Sequence, residues 1–480
     1  MEQKQSAPVK RSRCLWGGNY GEKEARGTES EPQGIRVLAF SVGRLLKRLL
    51  DHVEGCKVQS IINNTFPQEE RRGAPCCRHG EESVCDDQAA PPTRLSIRGS
   101  RAVARASGTY NVRDFGAKGN GVTDDSQAFM EAWKKACASS GRTKVLVPAG
   151  TYFLNPIEFS GPCKDVNDLI FQFHGTLKAS TDLNKYVNRR GWVAFGWLDH
   201  LTLTGGGTFD AQGEVSWPFN KCPTQKNCNP LPSSLIIVNT NNTVVKDITT
   251  VNSKFFHIVL MNNNNFKGSG ITIKAPVNSP NTDGIHLESN SGVTLSNSHI
   301  GTGDDCVSIG QGNSFVTISG IACGPGHGIS IGSLGRYNTE KDVKNIIVRD
   351  STFVDTVMGV RIKTWENSPV QTTVQNVTFE NLIMKNVGSP VVVDQTYCPF
   401  AYCDHSASSR VQLKDIKFKD IRGTAAYREA MILKCSKGLP CQGLKLENID
   451  LTSSGLYQAM SVCLDVRAQF SGKINPEPCK

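Results

Sequence analysis

Short alternations of apolar and polar residues dominate the chain after about residue 200 and recur at regular intervals. In each copy, two apolar residues separated by one position are followed, after one further residue, by Asn, Asp or Gly. The copies begin at Leu201, Val293, Val316, Ile346, Val377, Ile416 and Leu444. A second apolar strand recurs 22, 22, 31 and 31 residues apart, at Ile285, Val307, Ile329, Val360 and Val391. Alternation predicts half-buried strands, and repeats of this length are typical of solenoids.

These repeats indicate an all-β fold. The strands are rich in Val and Ile, small turn residues separate them, and no crossover helices connect them. The leucine and asparagine framework of leucine-rich repeats is missing, which excludes a horseshoe. We therefore predict a single-stranded right-handed parallel β-helix, a solenoid in which equivalent residues of successive coils stack about 4.8 Å apart.

The chain changes character near residue 107. Residues 1–107 are Arg-rich, show little sustained periodicity and end in a linker-like composition, so we expect a leader that is largely disordered. Residues 108–480 are expected to form the β-helix domain. At its start, a strand and a Gly-rich turn precede a helix that begins near Asp124 or Asp125, both good N-caps. We expect this short helix to cap the N-terminal end of the coils.

Composition narrows the class of protein but does not choose a function. Of 480 residues, 38% are hydrophobic and 20% are charged, and no apolar run is long enough to span a bilayer, so we expect a soluble protein. The formal net charge of +10 favours polyanions such as anionic membranes and acidic polysaccharides. No Lys/Arg stripe interleaved with aromatic residues occurs, and we therefore expect no nucleic-acid partner. We also expect a monomer.

Cysteine usage indicates an oxidising compartment. Twelve of the 17 cysteines lie from Cys137 onward. They include the close pairs Cys222 and Cys228, Cys398 and Cys403, and Cys435 and Cys441. No two-armed Cys/His set has zinc spacing, so we predict disulfides and no metal site. The sequons at Asn241 and Asn376 agree with a secreted glycoprotein, although residues 1–34 contain no recognisable signal peptide.

Ionisable residues occupy one column of the predicted coils. Asp283, Asp305 and His327 each lie two residues before the first apolar residue of a second strand, so they are in register on successive coils. Arg361 and Lys363 lie on the next coil, where strict alternation places both on the outer face. Alternation would turn the two aspartates inward, so we expect the backbone to depart from an ideal strand there. Glycines that follow the column make such a departure easier.

A third carboxylate, Asp304, lies directly before Asp305. Each of these residues alone is typical of a turn or a solvated face. Together, three carboxylates, an imidazole and two cations lie on neighbouring coils. Repulsion among Asp283, Asp304 and Asp305 is expected to raise at least one pKa, leaving an acid that donates a proton while its neighbours stay charged. Glycoside hydrolysis needs this division of labour.

Four ordered segments resemble a known family. They are SPNTDGIH from Ser279, GTGDDCVSIG from Gly301, CGPGHGISIGSLG from Cys323 and GVRIKTW from Gly359. These closely resemble the four signature segments of the polygalacturonase family of glycoside hydrolases, and the resemblance runs from about Tyr110 to the C-terminus. It implies a right-handed parallel β-helix that hydrolyses α-1,4 bonds between galacturonic acid units of pectin, with inversion and without a cofactor.

The resemblance also implies catalytic roles. Asp304 would be the general acid that protonates the leaving oxygen, and Asp283 and Asp305 would orient and deprotonate the attacking water. His327 would tune or share the proton of the acid. Inversion generally needs acid and base roughly 6.5–9.5 Å apart, and a column that spans two coils can provide such a gap.

Substrate-binding roles follow from the same motifs. Arg361 and Lys363 would bind the substrate carboxylate, one through a bidentate fork and the other as a point charge. Tyr397 matches the substrate-contacting tyrosine of the family, with a buried structural tyrosine as the other interpretation, and we place Asn281 with the binding residues. The usual disulfides of the family correspond to Cys306–Cys323, Cys435–Cys441 and Cys463–Cys479. The leader has no counterpart in the family's usual plan.

Several functions stay open at this point. The segments GGGTFDAQGEVSW, KCPTQKNCNPLP and CSKGLPCQGLKLENIDLT look most like the plant exo-acting branch, so we predict release of galacturonic acid from chain ends, with endo action as the alternative. A pectate lyase shares the architecture and would use calcium at the acidic cluster. From a different class, the chain would be a β-helix that binds polyanions without catalysis.

Overall fold

The structure is a computed structural model that describes residues 108–189, 191–222, 224–225, 228–400 and 403–478. The predicted leader and Cys479 lie outside the described residues. Among the described residues, none of the helices combines the length and apolar character that crossing a membrane requires.

The described chain is built almost entirely from short strands and one α-helix. In chain order these are β1 (Gly108–Asn111), β2 (Asn120–Asp124), α1 (Ser126–Cys137), β3 (Gly141–Val147), β4 (Thr151–Leu154), β5 (Ile157–Ser160), β6 (Val166–Phe173), β7 (Thr176–Ala179), β8 (Gly191–Gly196), β9 (Leu201–Thr204), β10 (Thr208–Asp210), β11 (Ser233–Val238), β12 (Asn241–Lys246), β13 (Thr249–Val251), β14 (Ile258–Met261) and β15 (Asn264–Ser269). They continue as β16 (Thr272–Lys274), β17 (Ile285–Glu288), β18 (Ser291–Gly301), β19 (Val307–Ile309), β20 (Ser314–Cys323), β21 (Ile329–Leu334), β22 (Val343–Val354), β23 (Met358–Trp365), β24 (Thr372–Val387), β25 (Ser389–Tyr397), β26 (Val411–Ala425), β27 (Glu429–Lys434), β28 (Leu444–Ser453), β29 (Met460–Leu464) and β30 (Ala468–Asn475).

The strands form two parallel sheets that run along the coils. Eleven strands form one sheet in the order β5, β8, β11, β14, β17, β19, β21, β23, β25, β27 and β29, and we call it the eleven-stranded sheet. The other sheet begins as two ladders that merge at β18, which pairs with both β15 and β16. From β18 onward it consists of longer strands, up to the 16 residues of β24. The predicted all-β parallel β-helix is confirmed.

The repeats found in the sequence are the stacked core of this solenoid. Ile285, Val307, Ile329, Val360 and Val391 are register partners on consecutive strands of the eleven-stranded sheet, and all are buried. The motif residues from Val293 to Ile416 are register partners in the other sheet. Burial of each Val or Ile side chain contributes roughly 1.5–3 kcal/mol to the stability of the fold. A shift of one residue between coils would expose these side chains, so their burial determines which residues of successive coils are neighbours.

A ladder of buried polar side chains lines one turn of the coils. Asn263 donates to Asn290 at 3.1 Å, Asn290 donates to Asn313 at 3.0 Å, and Thr240 donates to Asn263 at 2.8 Å. The same amides also donate to backbone carbonyls, for example from Asn290 to Leu260. A side-chain amide is both donor and acceptor, so stacking it on successive coils satisfies groups that burial would otherwise leave unpaired.

Helix α1 covers the N-terminal end of the coils. Phe129 and Trp133 on its inner face are buried, and the Trp133 ring lies 5.1 Å from that of Phe159 on β5. The predicted capping helix and its start are therefore confirmed. Asp125 is the N-cap residue of this helix, but its side chain does not cap the first helical turn. Its carboxylate accepts hydrogen bonds from the N–H groups of Lys118 and Gly119 and so stabilises the preceding turn.

Disulfides close loops along the solenoid. The described residues contain Cys137–Cys163, Cys222–Cys228, Cys306–Cys323, Cys398–Cys403 and Cys435–Cys441. Two of the three pairings that the resemblance implied are thus confirmed. Cys463 is disulfide-bonded as well, and its expected partner Cys479 lies outside the described residues.

Candidate active site

The predicted column of ionisable residues forms at the start of strands β17, β19 and β21. Backbone hydrogen bonds tie the coils together there: Gly284 N–H donates to the Asp305 carbonyl at 2.9 Å, and His327 N–H donates to the Asp304 carbonyl at 2.8 Å. Asp283 and Asp305 therefore lie on neighbouring coils, with His327 on the following one. The structure brings the predicted catalytic residues together.

Close approach of the coils explains the glycines that follow the column. A Cβ on Gly284 would lie 2.5 Å from the Cys306 carbonyl oxygen, and a Cβ on Gly328 would lie 2.1 Å from that of Gly359. Gly328 also has a φ of 83°, which L side chains rarely adopt. Asp283 and Asp305 lie just before their strands and are only 6% and 1% exposed.

Asp305 is held by four donors in a buried ion-pair network. Lys363 Nζ lies 2.7 Å from Oδ2, and Arg361 Nη2 lies 3.0 Å from Oδ1. The hydroxyl of Ser330 donates to Oδ1 at 2.8 Å and accepts from Arg361 Nε at 3.2 Å. The fourth interaction is the bond from Gly284 N–H to the backbone carbonyl. This carboxylate is therefore fixed in orientation.

Asp304 points toward solvent beside a histidine. Its Oδ1 lies 3.0 Å from His327 Nδ1 and accepts from the Asp305 N–H at 2.8 Å, while Oδ2 accepts from Asn281 Nδ2 at 3.2 Å. Its side chain is 18% exposed and that of His327 is 37% exposed. Asp304 is thus the most accessible carboxylate of the three, and Asn281 lies in the site as predicted.

The surroundings of Asp283 and Asp304 shift their pKa values in opposite directions. Burial, reinforced by the charges of Asp304 and Asp305, raises the pKa of Asp283 well above its ordinary value. Burial also acts to raise the pKa of Asp304, but the hydrogen bond and charge of His327, together with Lys363 and the Asp305 N–H, outweigh it and leave that pKa lowered. Burial therefore favours the protonated form of Asp283, whereas the resemblance assigns the donated proton to Asp304.

The two cations of the RIK motif lie on either side of the buried Ile362, on the outer face that alternation predicts, and reach along this face to Asp305. The side chains of Arg361 and Lys363 are only 11% and 9% exposed, because neighbouring side chains cover this part of the outer face. The Tyr397 ring lies over both, 5.9 Å from Arg361 Cζ and 5.5 Å from Lys363 Nζ, and meets Trp365 edge-on at 5.6 Å. Among the described residues, Nη1 of Arg361 has no hydrogen-bond partner and could still serve a ligand.

Asp304, Asp305 and His327 form a compact group. One side-chain oxygen each of Asp304 and Asp305, and one ring nitrogen of His327, all lie within 4.8 Å of one another. The three groups could also hold a metal ion, although Asp305 is already neutralised by two cations.

Sequence reasoning missed the polar residues that orient the column. Ser330 and Ser308 are register partners on β21 and β19, and His286 is the partner of Ser308 on β17. A signal for them was present, because Ser308 and Ser330 each follow the first apolar residue of a repeated strand, one position before the next apolar residue. Serine is common at solvent-exposed strand positions, so the pattern alone did not indicate that Ser308 and Ser330 belong to the site.

Loops closed by disulfides border the column on both sides. Residues 211–232, between β10 and β11, carry the Cys222–Cys228 disulfide, and Asn220 in this loop donates to Asn281 Oδ1 at 3.2 Å. On the other side, the Cys398–Cys403 loop directly follows Tyr397. The long first loop therefore lies against the residue that contacts Asp304.

Comparison with known proteins identifies the family. The family described as Glycosyl hydrolases family 28 matches residues 137–472, well over half of the chain. The chain belongs to glycosyl hydrolase family 28. A second match, described as Rhamnogalacturonase A/epimerase, pectate lyase-like, covers residues 109–161 ahead of it. As a family 28 member, the protein is a glycoside hydrolase, and the resemblance of its four segments is confirmed.

Plant relatives align with nearly their whole length. The chain is 45% identical over 377 residues to an exopolygalacturonase of Platanus acerifolia, covering 78% of this chain and 99% of the relative. It is 40% identical over 405 residues to an exopolygalacturonase of Zea mays, covering 84% and 96%. Among solved structures, the endo-xylogalacturonan hydrolase of Aspergillus tubingensis matches with a TM-score of 0.63 at 22% identity, over 76% of this chain and all of that one. The last likeness shows the fold alone.

Proposed function

We propose that this family 28 enzyme hydrolyses α-1,4-galacturonosidic bonds of polygalacturonate from a chain end and releases galacturonic acid. The observation that carries this proposal is the arrangement of Asp304, accessible and in contact with His327, beside two buried carboxylates on neighbouring coils. Plant relatives at 40–45% identity that are named exopolygalacturonases support the substrate and the exo action.

In the proposed reaction, the proton of Asp304 passes to the glycosidic oxygen as its bond to the anomeric carbon breaks. A water attacks that carbon from the opposite face, and its proton passes to the pair formed by Asp283 and Asp305. Asp305 cannot rotate away because Arg361 and Lys363 bind both of its oxygens. We propose inversion on the basis of the family resemblance.

The opposite pKa shifts of Asp283 and Asp304 affect this mechanism. The productive form has the proton on Asp304, whereas in the other tautomer the proton is on Asp283, whose protonated form is favoured by burial. The two tautomers differ only in the site of one proton, so they share the same macroscopic pKa values. His327 contacts Asp304 and is placed to pass a proton to it.

The substrate carboxylate needs cationic partners. Arg361 retains donors on Nη1, and the flanking Tyr397 is partly exposed, so we propose that these two contact a galacturonate ring. Lys363 is committed to Asp305 and acts mainly by positioning it. The formal net charge of +10 favours approach of an acidic polysaccharide.

The loop of residues 211–232 favours exo action. It packs against Asn281 through Asn220 and is closed by a disulfide, so it stands beside the site on the side of the preceding coils. We propose that a loop at this position stops a bound polysaccharide chain from extending past Asn281.

Secretion, glycosylation at Asn241 and Asn376, a monomeric state and a domain boundary near residue 107 remain proposals drawn from the sequence.

Product analysis tests the reaction and its direction together. From polygalacturonate, we expect galacturonic acid monomer at the earliest time points, because an exo-acting site releases one terminal unit per event. The assay is run in EDTA, with products separated by anion-exchange chromatography and absorbance followed in the ultraviolet. Full activity without unsaturated product is expected, because proton transfer by aspartates needs no metal.

Three outcomes would contradict this proposal. Early oligomers of mixed length would indicate endo action. Loss of activity on chelation with ultraviolet-absorbing products would indicate a calcium-dependent lyase at the Asp304, Asp305 and His327 cluster. Binding of polygalacturonate without any product would indicate a polyanion-binding protein.

The pH dependence of kcat/KM should reflect the opposite pKa shifts of Asp283 and Asp304. We expect kcat/KM to fall at high pH as the last proton leaves the cluster, at a pH well above the ordinary aspartate pKa, because the pKa of Asp283 is raised. We expect it to fall at low pH only below that ordinary value, because the second proton binds to Asp304, whose pKa is lowered. Initial rates at low substrate concentration measure both limbs. A single limb centred near pH 4 would refute this assignment.

A further inference from the structure

Lys254 is a buried lysine that has no part in the mechanism proposed above. It lies between β13 and β14 and is only 1% exposed. Its Nζ donates to the carbonyl of Ala211 and lies 5.2 Å from the centroid of the Tyr186 ring. Ala211 is the first residue of the loop of residues 211–232, which we call the border loop. Burying an ammonium group costs free energy unless it has partners, so these contacts indicate what the lysine holds in place.

Two acidic residues help to keep this lysine charged. Asp210 on β10 and Glu214 in the border loop both favour the charged form of Lys254. Burial has the larger effect and lowers the pKa of Lys254 to about 8. The ammonium form therefore predominates at neutral and acidic pH. A charged hydrogen-bond donor is thus present at the point where the border loop begins.

The turn that contains Lys254 contacts the border loop through three consecutive residues, 252–254, which we call the clamp. The carbonyl of the first residue accepts from the Gly213 N–H at 2.7 Å. The carbonyl of the second, Ser253, accepts from Trp217 Nε1 at 2.9 Å, and the third is Lys254. A Cβ on Gly213 would lie 2.4 Å from the Ser253 carbonyl oxygen, so the two segments are in direct contact. The clamp therefore fixes the base of the border loop.

The same turn continues into the candidate active site. His257, which follows the clamp, donates its N–H to the Asp283 carbonyl at 2.8 Å. The border loop reaches the site separately, through the contact of Asn220 with Asn281. The position of the loop relative to the catalytic coil therefore depends on one short segment.

We propose that Lys254 is a positioning residue that restricts the enzyme to chain ends by holding the border loop beside Asn281. The inference rests on the proposed exo action and names the residue that keeps the loop in place. Without the amine, the buried Ala211 carbonyl loses this donor, and it gains water only if the base of the loop moves away from the coil. A displaced loop allows a polysaccharide chain to extend past Asn281, so internal bonds become accessible.

Lys254→Met tests whether the lysine holds the loop, because methionine keeps the apolar stem and removes the charged donor. We expect trypsin to cleave after the exposed Lys221 of the border loop about tenfold faster than in the wild type, since a hydrogen bond to a charged group is lost. Mass spectrometry identifies the cut by the fragment that begins at Cys222. Thermal unfolding should stay close to wild type, because the variant no longer buries a charge.

Product analysis measures the consequence for specificity. The wild type should release only galacturonic acid at first, whereas Lys254→Met should also release oligomers of mixed length. The viscosity of polygalacturonate should fall further for each bond cleaved, because internal cleavage shortens the chains more than removal of terminal units does. Trp217→Phe removes the donor to Ser253 but keeps an aromatic ring, and it should change both readouts in the same direction.

Two controls separate the clamp from general effects. Lys246→Met replaces an exposed lysine on β12 and should change neither the cleavage rate at Lys221 nor the products. Phe379→Leu removes a buried ring on β24 and should lower thermal stability without releasing early oligomers. If Lys254→Met does not fold, Trp217→Phe still tests the clamp.

The outcomes distinguish this inference from the proposed function. Early oligomers from the wild type would refute exo action, while the trypsin assay would still decide whether the lysine holds the loop. Unchanged cleavage at Lys221 in folded Lys254→Met would overturn the role of the lysine, and unchanged cleavage in Trp217→Phe would overturn the clamp. Faster cleavage with galacturonic acid still the sole early product would overturn the inference too, because the loop would then not restrict the enzyme to chain ends.

Discussion

Asp304→Asn should lower kcat on polygalacturonate by about 10²–10⁴-fold, the range over which general acid catalysis accelerates reactions. The amide cannot transfer a proton to the leaving oxygen, although it is nearly the same shape as the carboxylate. Asp304 is partly exposed and supports neither the core nor the buried ion pairs, so folding and substrate binding should persist. Reducing-sugar release measures the rate, and a binding assay with polygalacturonate measures affinity.

A matched variant guards against general effects of removing a charge. Asp165→Asn replaces an exposed aspartate between β5 and β6, far along the chain from the column, and should retain wild-type kcat. Near-normal turnover by Asp304→Asn would remove that residue from the acid role. Asp283 would then be the next candidate acid, because burial raises its pKa.

Lys363→Met is expected to lower the free energy of unfolding by an amount toward the lower end of the roughly 3–5 kcal/mol that breaking a buried ion pair costs. Methionine matches the length of the lysine stem but leaves Asp305 Oδ2 without its 2.7 Å partner. Arg361 and Ser330 still bind Oδ1, which limits the loss. Urea unfolding measures stability, and kcat should fall as well because the carboxylate loses its fixed orientation.

The control is Lys344→Met, which removes an exposed partner of Asp342 at 3.0 Å and should cost no more than about 1 kcal/mol. The two roles considered for Lys363 give opposite patterns. If it mainly bound the substrate carboxylate, KM would rise while kcat and stability stayed close to wild type. That result would reinstate the role that the sequence motif suggested and would reject the positioning role.

The register of the site could be predicted from the sequence because a solenoid converts spacing along the chain into proximity in space. Asp283, Asp305 and His327 share one offset from buried strand residues, and neighbouring coils stack those residues directly. The capping helix was predicted from a different signal, a Gly-rich turn followed by the N-cap candidates Asp124 and Asp125. Periodicity is sufficient wherever contacts are between adjacent coils.

The spacing of residues could not predict which side chains form ion pairs or which carboxyl group has the raised pKa. Alternation placed Arg361 and Lys363 on the outer face, where they lie, but it could not show that both pair with Asp305, which is buried there and would be far more costly without cations. Repulsion predicted that one carboxyl pKa would rise, and burial decided that it was Asp283. Burial and hydrogen bonds depend on coordinates, so sequence spacing could not rank the three aspartates.

The position of the reacting residues along the row of coils affects how the enzyme loses activity. Strands β17, β19, β21 and β23 occupy the middle of the eleven-stranded sheet, with four strands before them and three after. In a linear array each coil depends only on its neighbours, so unfolding that begins by fraying at the ends reaches the centre last. Gentle heating or a brief protease treatment would thus erode the terminal coils while turnover persists.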